Sequence, residues 1–177
     1  SRGHLVKNYL EGNLNPEKYL AGLVDKSAYY NGFNLLLGTQ DSLYYYSNRE
    51  KVIRELDSGI YGLSNGLLND PWPKVTKGIN MLDSILKDEE VKIESLFTMM
   101  TDREQFPDNL LPKTGVSMEW ERILAPLFVI SPEYGTRVTT VILVDRDNNI
   151  RFWERGYIDR QPDNWEEVYY EIGGTDS

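Results

Sequence analysis

The chain has 177 residues, with 28 acidic and 19 basic side chains, a formal net charge of -9, 40% hydrophobic residues, 12% aromatics and no cysteine. That apolar share excludes a disordered chain, and no apolar run approaches the roughly 18 residues a membrane-spanning helix needs. The acidic balance argues against nucleic-acid backbones and anionic membrane surfaces, which are bound through Lys and Arg. The missing cysteines exclude a disulfide scaffold, a zinc knuckle and a thiol nucleophile within these residues.

Leu5, Val6 and Leu10 have helical spacing over residues 3–11, and Gly12-Asn13 stops that segment. Asn15-Pro16-Glu17 is a helix start, because Asn can cap and Pro is preorganised for the first helical position. Tyr19, Leu20, Leu23 and Val24 continue it as an apolar stripe. From residue 32 the period shortens. Residues 32–38 and 42–47 read as a hairpin, 52–56 and 60–64 as two further short strands, with turns at Asp57-Ser58-Gly59 and Asn65-Gly66.

Helices return after Pro71-Trp72-Pro73. Val75, Ile79, Leu82 and Leu86 line one helix face, and Ile93, Leu96 and Phe97 indicate a second, shorter helix. Residues 101–115, with Pro107, Pro112 and Gly115, read as an ordered loop anchored by Phe106, Leu110 and Leu111. The last third is β. Residues 127–130 are a short apolar strand. Residues 138–144 are a β-branched run with the composition of a strand buried on both faces. Residues 150–157 return across the turn Asp145-Arg146-Asp147-Asn148-Asn149, and 165–172 make a last strand. Without an internal repeat or a linker, the order predicts a single layered α+β domain over residues 1–177.

Most catalytic signatures are absent: no P-loop, GxGxxG, HExxH or GxSxG. The lone His4 builds neither a His-rich metal site nor a Ser–His–Asp set. The Asp145 to Asn149 stretch resembles the start of a calcium loop. It has Ile150 where the loop needs Gly and lies between strands, so it reads as a hairpin turn. Three polar clusters interrupt the apolar context: Tyr30-Asn31-Gly32-Phe33-Asn34; Tyr61-Gly62-Leu63-Ser64-Asn65 with Asp70-Pro71-Trp72-Pro73-Lys74; and Tyr134-Gly135-Thr136-Arg137. Either these side chains converge on a site, or the Asn residues satisfy turn backbone and Arg137 pairs with an acid.

Those clusters, in this order, resemble the NRDE family, that of Transport and Golgi organisation protein 2 and its bacterial relatives. The opening Ser1-Arg2-Gly3, Tyr44-Tyr45-Tyr46-Ser47-Asn48 and Phe152-Trp153-Glu154-Arg155 are part of the same ordered set, which spans almost the whole chain. The resemblance implies a four-layer αββα fold like that of N-terminal-nucleophile hydrolases, of which this chain is the C-terminal portion. Family members carry Met-Cys, Asn-Arg-Asp-Glu and Thr-Asn-Tyr segments ahead of the Ser-Arg-Gly. In such hydrolases the first residue supplies both the nucleophile and, through its amine, the base. Ser1 precedes a helical stretch, whereas the nucleophile of this fold starts a strand.

By resemblance, Asn65 matches a position for an oxyanion or orienting donor, and Arg137 one that holds the nucleophile or a substrate carboxylate. Both are supporting catalytic roles. Asn31, Asn34, Tyr61, Ser64, Trp72, Tyr134 and Thr136 are the candidate ligand-binding residues. The family implies haem or lipid and acyl-CoA handling, with a small ligand in an apolar cleft. The alternative is an N-terminal-cysteine amidohydrolase acting on a small amide or acyl substrate. If haem is the cofactor or cargo, its axial candidates are His4, the 4 Met residues and the tyrosines. No metal site, nucleic-acid partner or integral membrane contact is expected, and a cytoplasmic location is.

Overall fold

In a computed structural model of the chain, which describes residues 1–173, the sequence packs as two units, Ser1–Asp70 and Pro71 onward. In the first unit the expected helix start is formed. The Asn15 side chain accepts a hydrogen bond from the Lys18 amide at 2.9 Å, and Pro16 opens helix α2, Pro16–Val24. Helix α1, Gly3–Leu10, precedes it. Strands β1 (Asn34–Gly38), β2 (Leu43–Ser47) and β3 (Ile53–Glu55) form an antiparallel sheet in that order. The register pairs Leu35 with Tyr46 and Leu37 with Tyr44, so these side chains share one face. Leu35, Leu37 and Tyr46 are buried there with Leu5, Leu20, Leu23 and Phe33. Each such Leu contributes about 1.5–3 kcal/mol of hydrophobic stabilisation.

Residues 60–64 are not the fourth strand that their apolar content predicts. They are the start of a closed loop. The Asn69 amide donates to the Gly62 carbonyl at 2.8 Å, and the Gly62 amide donates to Asn69 Oδ1 at 2.9 Å. Asn69 makes this closure at φ 61°, a left-handed conformation that Asn tolerates.

The second unit contains helices α3 (Pro73–Ile85), α4 (Ile93–Met100) and α5 (Met118–Leu124), and strands β4 (Val138–Val144), β5 (Ile150–Tyr157) and β6 (Trp165–Ile172). The sheet is antiparallel in the order β4-β5-β6. Its first hairpin turns as expected: Asp145 Oδ1 accepts from the Asp147 and Asn149 amides, both at 2.9 Å, and Asn148 sits at φ 61°. Asp145 is thereby occupied by the turn.

Two strand expectations are corrected here. Strand β4 is buried on one face, not on both. Thr139 and Val141 are buried, while Val138, Ile142 and Val144 are exposed. Helices α3 and α4 supply one packing layer, in which Leu96, Phe97 and Val141 are buried with Leu82, Leu143 and Trp153 against them. β-Branched composition sets strand preference but says nothing about how many faces are covered. Residues 127–130 form no strand either; the backbone makes one isolated bridge, Ile130 to Gly135. Phe128 is held by its amide to the Asp102 carbonyl at 2.8 Å and by an edge contact with Tyr157 at 4.7 Å.

Helix α5 escaped the sequence reading because two turns are too short to show a period. Its signal was Ser117, whose side chain accepts from the Trp120 amide. In the loop before it, Leu111 is buried and Phe106 half-buried, whereas Leu110 is exposed. Of the three expected anchors, Leu110 is therefore not one.

The element that ties α4, β5 and β6 together is Arg155. Its guanidinium lies 3.9 Å from the Phe97 ring and 3.8 Å from the Trp165 ring. It donates to both Glu94 carboxylate oxygens at 3.0 and 2.6 Å, and its Nε donates to Glu167 at 2.7 Å. The side chain is 8% exposed. Arg155→Ala empties the slot between two rings and leaves two acids unpaired. An urea melt should show a loss of about 1–3 kcal/mol, less than for a fully buried pair because Glu94 faces solvent. The hydrogen bonds from Arg155 hold the Glu94 carboxyl below its usual range, against the opposing effect of burial. This contribution is complete above the unfolded carboxyl value and is lost as pH falls through the lowered folded one. Glu94→Gln should therefore flatten that part of the acid limb of a stability-against-pH curve; an unchanged limb would exclude Glu94 as its source.

Candidate functional site

Five of the candidate residues belong to the first unit. Asn34 begins β1, and both ends of its side-chain amide are engaged. Its Nδ2 donates to the Gly66 carbonyl at 2.7 Å, and its Oδ1 accepts from the Tyr45 hydroxyl at 2.8 Å. The same hydroxyl accepts from the Leu68 amide at 3.1 Å. Tyr45 is 0% exposed, so this is a buried polar joint between the sheet and the loop of residues 61–70. Asp70 Oδ2 takes the Leu67 amide at 2.6 Å, and Arg49 Nη1 reaches the Asn65 carbonyl at 3.5 Å.

The loop is thus held by its backbone. The side chains of Ser64 and Asn65 make no hydrogen bond among the described residues, and Asn65 is exposed. Asn31 is also exposed with a free side chain; its carbonyl accepts from Asn48 Nδ2 at 3.4 Å. Asn31, Asn34, Ser64 and Asn65 are therefore gathered at one end of the sheet. Tyr61 points elsewhere within the unit, its hydroxyl donating to the Asp57 carbonyl at 3.0 Å.

The other four candidates belong to the second unit. Trp72 precedes α3, and its carbonyl accepts from the Thr76 amide at 3.0 Å. Thr136 is tied to the chain before it: its Oγ1 accepts from the Val129 amide at 3.0 Å, and its amide donates to the Val129 carbonyl at 2.8 Å. Gly135 has to be glycine, since a Cβ there would sit 2.8 Å from both the Val129 carbonyl and Arg160. Tyr134 is 54% exposed and meets Trp120 edge-on. Arg137 enters β4 with its carbonyl accepting from the Tyr157 amide at 2.8 Å. Its guanidinium is exposed and has no acid partner among the described residues, so the acid pairing considered from sequence is not formed.

A scan of family models matches residues 1–159 to the family described as Transport and Golgi organisation 2. The Transport and Golgi organization protein 2 homolog of Bos taurus is 34% identical over 187 aligned positions, covering 97% of this chain and 67% of the relative. The Homo sapiens homolog is 35% identical over 185 positions with the same coverage. The Drosophila melanogaster protein is 28% identical over 135 positions, 71% of this chain and 47% of its own length. The chain belongs to the Transport and Golgi organisation 2 family. The resemblance carried by the ordered motifs is borne out.

Several motif residues of this family member are structural here. Lys74, in the Pro-Trp-Pro-Lys motif, donates through Nζ to the Leu124 carbonyl at 2.9 Å, closing the C-terminal end of α5; burial lowers its pKa. Asn48 accepts from the Phe33 amide at 2.9 Å and donates to the Ser27 and Tyr30 carbonyls at 3.1 and 3.2 Å. Sequence reasoning missed Asn48, Tyr45 and Arg49 as site-building residues. Tyr45 and Asn48 stood in the Tyr44-Tyr45-Tyr46-Ser47-Asn48 motif, whereas Arg49 carried no local pattern.

Among the described residues no group of three or more His and acidic side chains could hold a metal ion. His4 is exposed on α1. Of the axial-ligand candidates for haem, Tyr19 and Tyr30 line a cavity of about 210 Å³ in the first unit, and Met81 lines a half-open groove of about 630 Å³ in the second. The Tyr19 hydroxyl is committed to the Leu5 carbonyl at 2.6 Å, and Met81 lies beside apolar Phe106 and Leu110. No helix among the described residues is long and apolar enough to cross a membrane.

The joint can be tested directly. Tyr45→Phe removes one buried hydroxyl and strands Asn34 Oδ1 and the Leu68 amide. Chemical denaturation should show a loss of about 1–3 kcal/mol, and the Leu68 amide should lose its hydrogen-exchange protection. Retained protection would mean that the loop is held by other bonds.

Proposed function

We propose that the protein handles a small ligand of the haem or acyl-CoA and lipid type, in a cleft bordered by the Ser64-Asn65 turn. The ligand class is the one that the resemblance of the ordered motifs implies. The observation that carries the site is that Asn65 presents an unpaired, exposed amide from a loop whose backbone is fixed from four directions, by Asn34, Tyr45, Arg49 and Asp70. A preorganised polar group beside apolar surface is what orients a ligand in such clefts.

We further propose the N-terminal-nucleophile-hydrolase-like αββα fold that the resemblance implies. Two half-structures support this. Each unit lays helices on one face of its sheet. Each leaves apolar side chains exposed on the opposite face: Leu36 and Leu43 in the first, Val138, Ile142, Val168 and Tyr170 in the second.

The same free amide favours a second reading, an amidohydrolase whose cysteine nucleophile lies ahead of Ser1 in the full-length protein. Asn65 would then donate to the oxyanion and Arg137 would hold the nucleophile or a substrate carboxylate. Two titrations separate the readings. Full-length protein with haemin should give a Soret shift, and an acyl-CoA ester should bind without turnover. If the hydrolase reading holds, acylated amino acids or acyl-CoA esters are cleaved, a Cys-to-Ala variant is inert, and Asn65→Ala lowers kcat about a hundredfold or more. Absence of binding and of turnover would overturn both.

A further inference from the structure

We infer that Arg2 and Arg49, gathered on Gly32 beside Asn65, form a recognition site for an oxyanion group of the ligand, a carboxylate or a phosphate. The inference rests on the reading that Asn65 borders the ligand cleft, and it adds the charge the ligand must carry there.

Arg2 Nη1 donates to the Gly32 carbonyl at 3.1 Å. The Arg49 guanidinium lies against Gly32 so closely that a Cβ at that position would be 2.5 Å from its Nε and 3.0 Å from its Nη2. Arg49 also reaches the Asn65 carbonyl, and both arginines meet exposed backbone. Each guanidinium therefore spends one donor on a carbonyl and keeps the rest of its N–H groups unpaired among the described residues. Neither forms an ion pair among the described residues. Glu50, next to Arg49 in the chain, pairs through Oε1 with Arg54 and makes no ion pair with Arg49.

Two like charges brought to one glycine repel unless an anion joins them. Fork-shaped donors of this kind match the paired oxygens of carboxylate and phosphate. The surroundings sharpen the case. The chain as a whole carries a net charge of -9, so an acidic ligand is repelled by most of the surface and drawn to the places where positive charge stands without a counterion. Gly32 does not adopt the left-handed φ that favours glycine, so its lack of a side chain serves the space that Arg49 occupies. Asn31 precedes Gly32 in the chain and Asn65 supplies the carbonyl that Arg49 meets; both are exposed, and neither side-chain amide has a partner among the described residues.

The carboxylate and phosphate sources can be told apart with matched probes on the full-length protein. Haemin is compared with its dimethyl ester, and an acyl-CoA with the corresponding acyl pantetheine. Inorganic pyrophosphate is titrated separately while the arginine side-chain NMR signals are followed. Pyrophosphate should move the Arg2 and Arg49 signals. Arg2→Gln and Arg49→Gln should each weaken binding of the charged probe about tenfold, and Arg49→Lys should restore part of it.

Gly32→Ala keeps every charge but displaces the Arg49 guanidinium; it should weaken the charged probe as well, with the melting temperature preserved. Preference for haemin over its ester assigns the site to a carboxylate, and preference for acyl-CoA over acyl pantetheine to a phosphate. Pyrophosphate binding at the arginines, with neither haemin nor acyl-CoA bound, would uphold the anion site and overturn the ligand class proposed above. Haemin or acyl-CoA binding that is indifferent to all four variants would overturn the anion site and leave the ligand class standing.

Discussion

The candidate site in the first unit depends on one buried hydroxyl. Tyr45 sits at the centre of a three-stranded sheet with no exposed surface, yet it carries a polar group that must be satisfied. It is satisfied on both sides, by the Asn34 amide oxygen and the Leu68 amide. Through that pair the sheet fixes a ten-residue stretch of non-repetitive backbone that has no strand partner of its own. The loop needs no interaction from the Asn65 side chain to hold its shape, and this leaves Asn65 available to a ligand. Positioning by backbone, with the side chain left over, is the arrangement that allows a polar group to face solvent in one orientation.

The second unit solves a comparable problem with charge. Its sheet is covered by helices on one face, and the cover is pinned by Arg155 between two aromatic rings and two carboxylates. Strand β6, an edge strand, contributes Trp165 and Glu167 to that cluster and is otherwise exposed along its length. The guanidinium is suited to this role because it stacks on rings with its faces while donating hydrogen bonds in its plane, which a lysine ammonium does not do. On this side the motif arginine is part of the scaffold, whereas Arg137 stands free at the start of β4.

The residue types at strand ends were legible in the sequence, but their division of labour was not. Asn31, Asn34 and Asn65 looked equivalent as polar residues next to glycine in apolar context. In the structure Asn34 is consumed by the fold, and Asn31 and Asn65 are not. Thr136 and Tyr61 are likewise engaged, by Val129 and Asp57. Arg49 carried no local pattern, because its role arises from contact with Gly32, seventeen positions earlier, and with Asn65, sixteen positions later.

By itself the sequence determined the proline-led helix starts, the hairpins and the family. Asn15-Pro16 caps through bonds reaching three residues, the Asp145 turn closes within five, and the ordered motifs need no coordinates to be matched. Those features are local in the chain, so local chemistry decides them. Tertiary structure decided what local chemistry leaves open. It set how many faces of β4 are covered, that residues 60–64 close a loop instead of adding a strand, and which asparagines keep a free amide. Each of these turns on the presence or absence of a partner distant in sequence. Burial and hydrogen-bond satisfaction are properties of such pairs, and composition reports only one member of each.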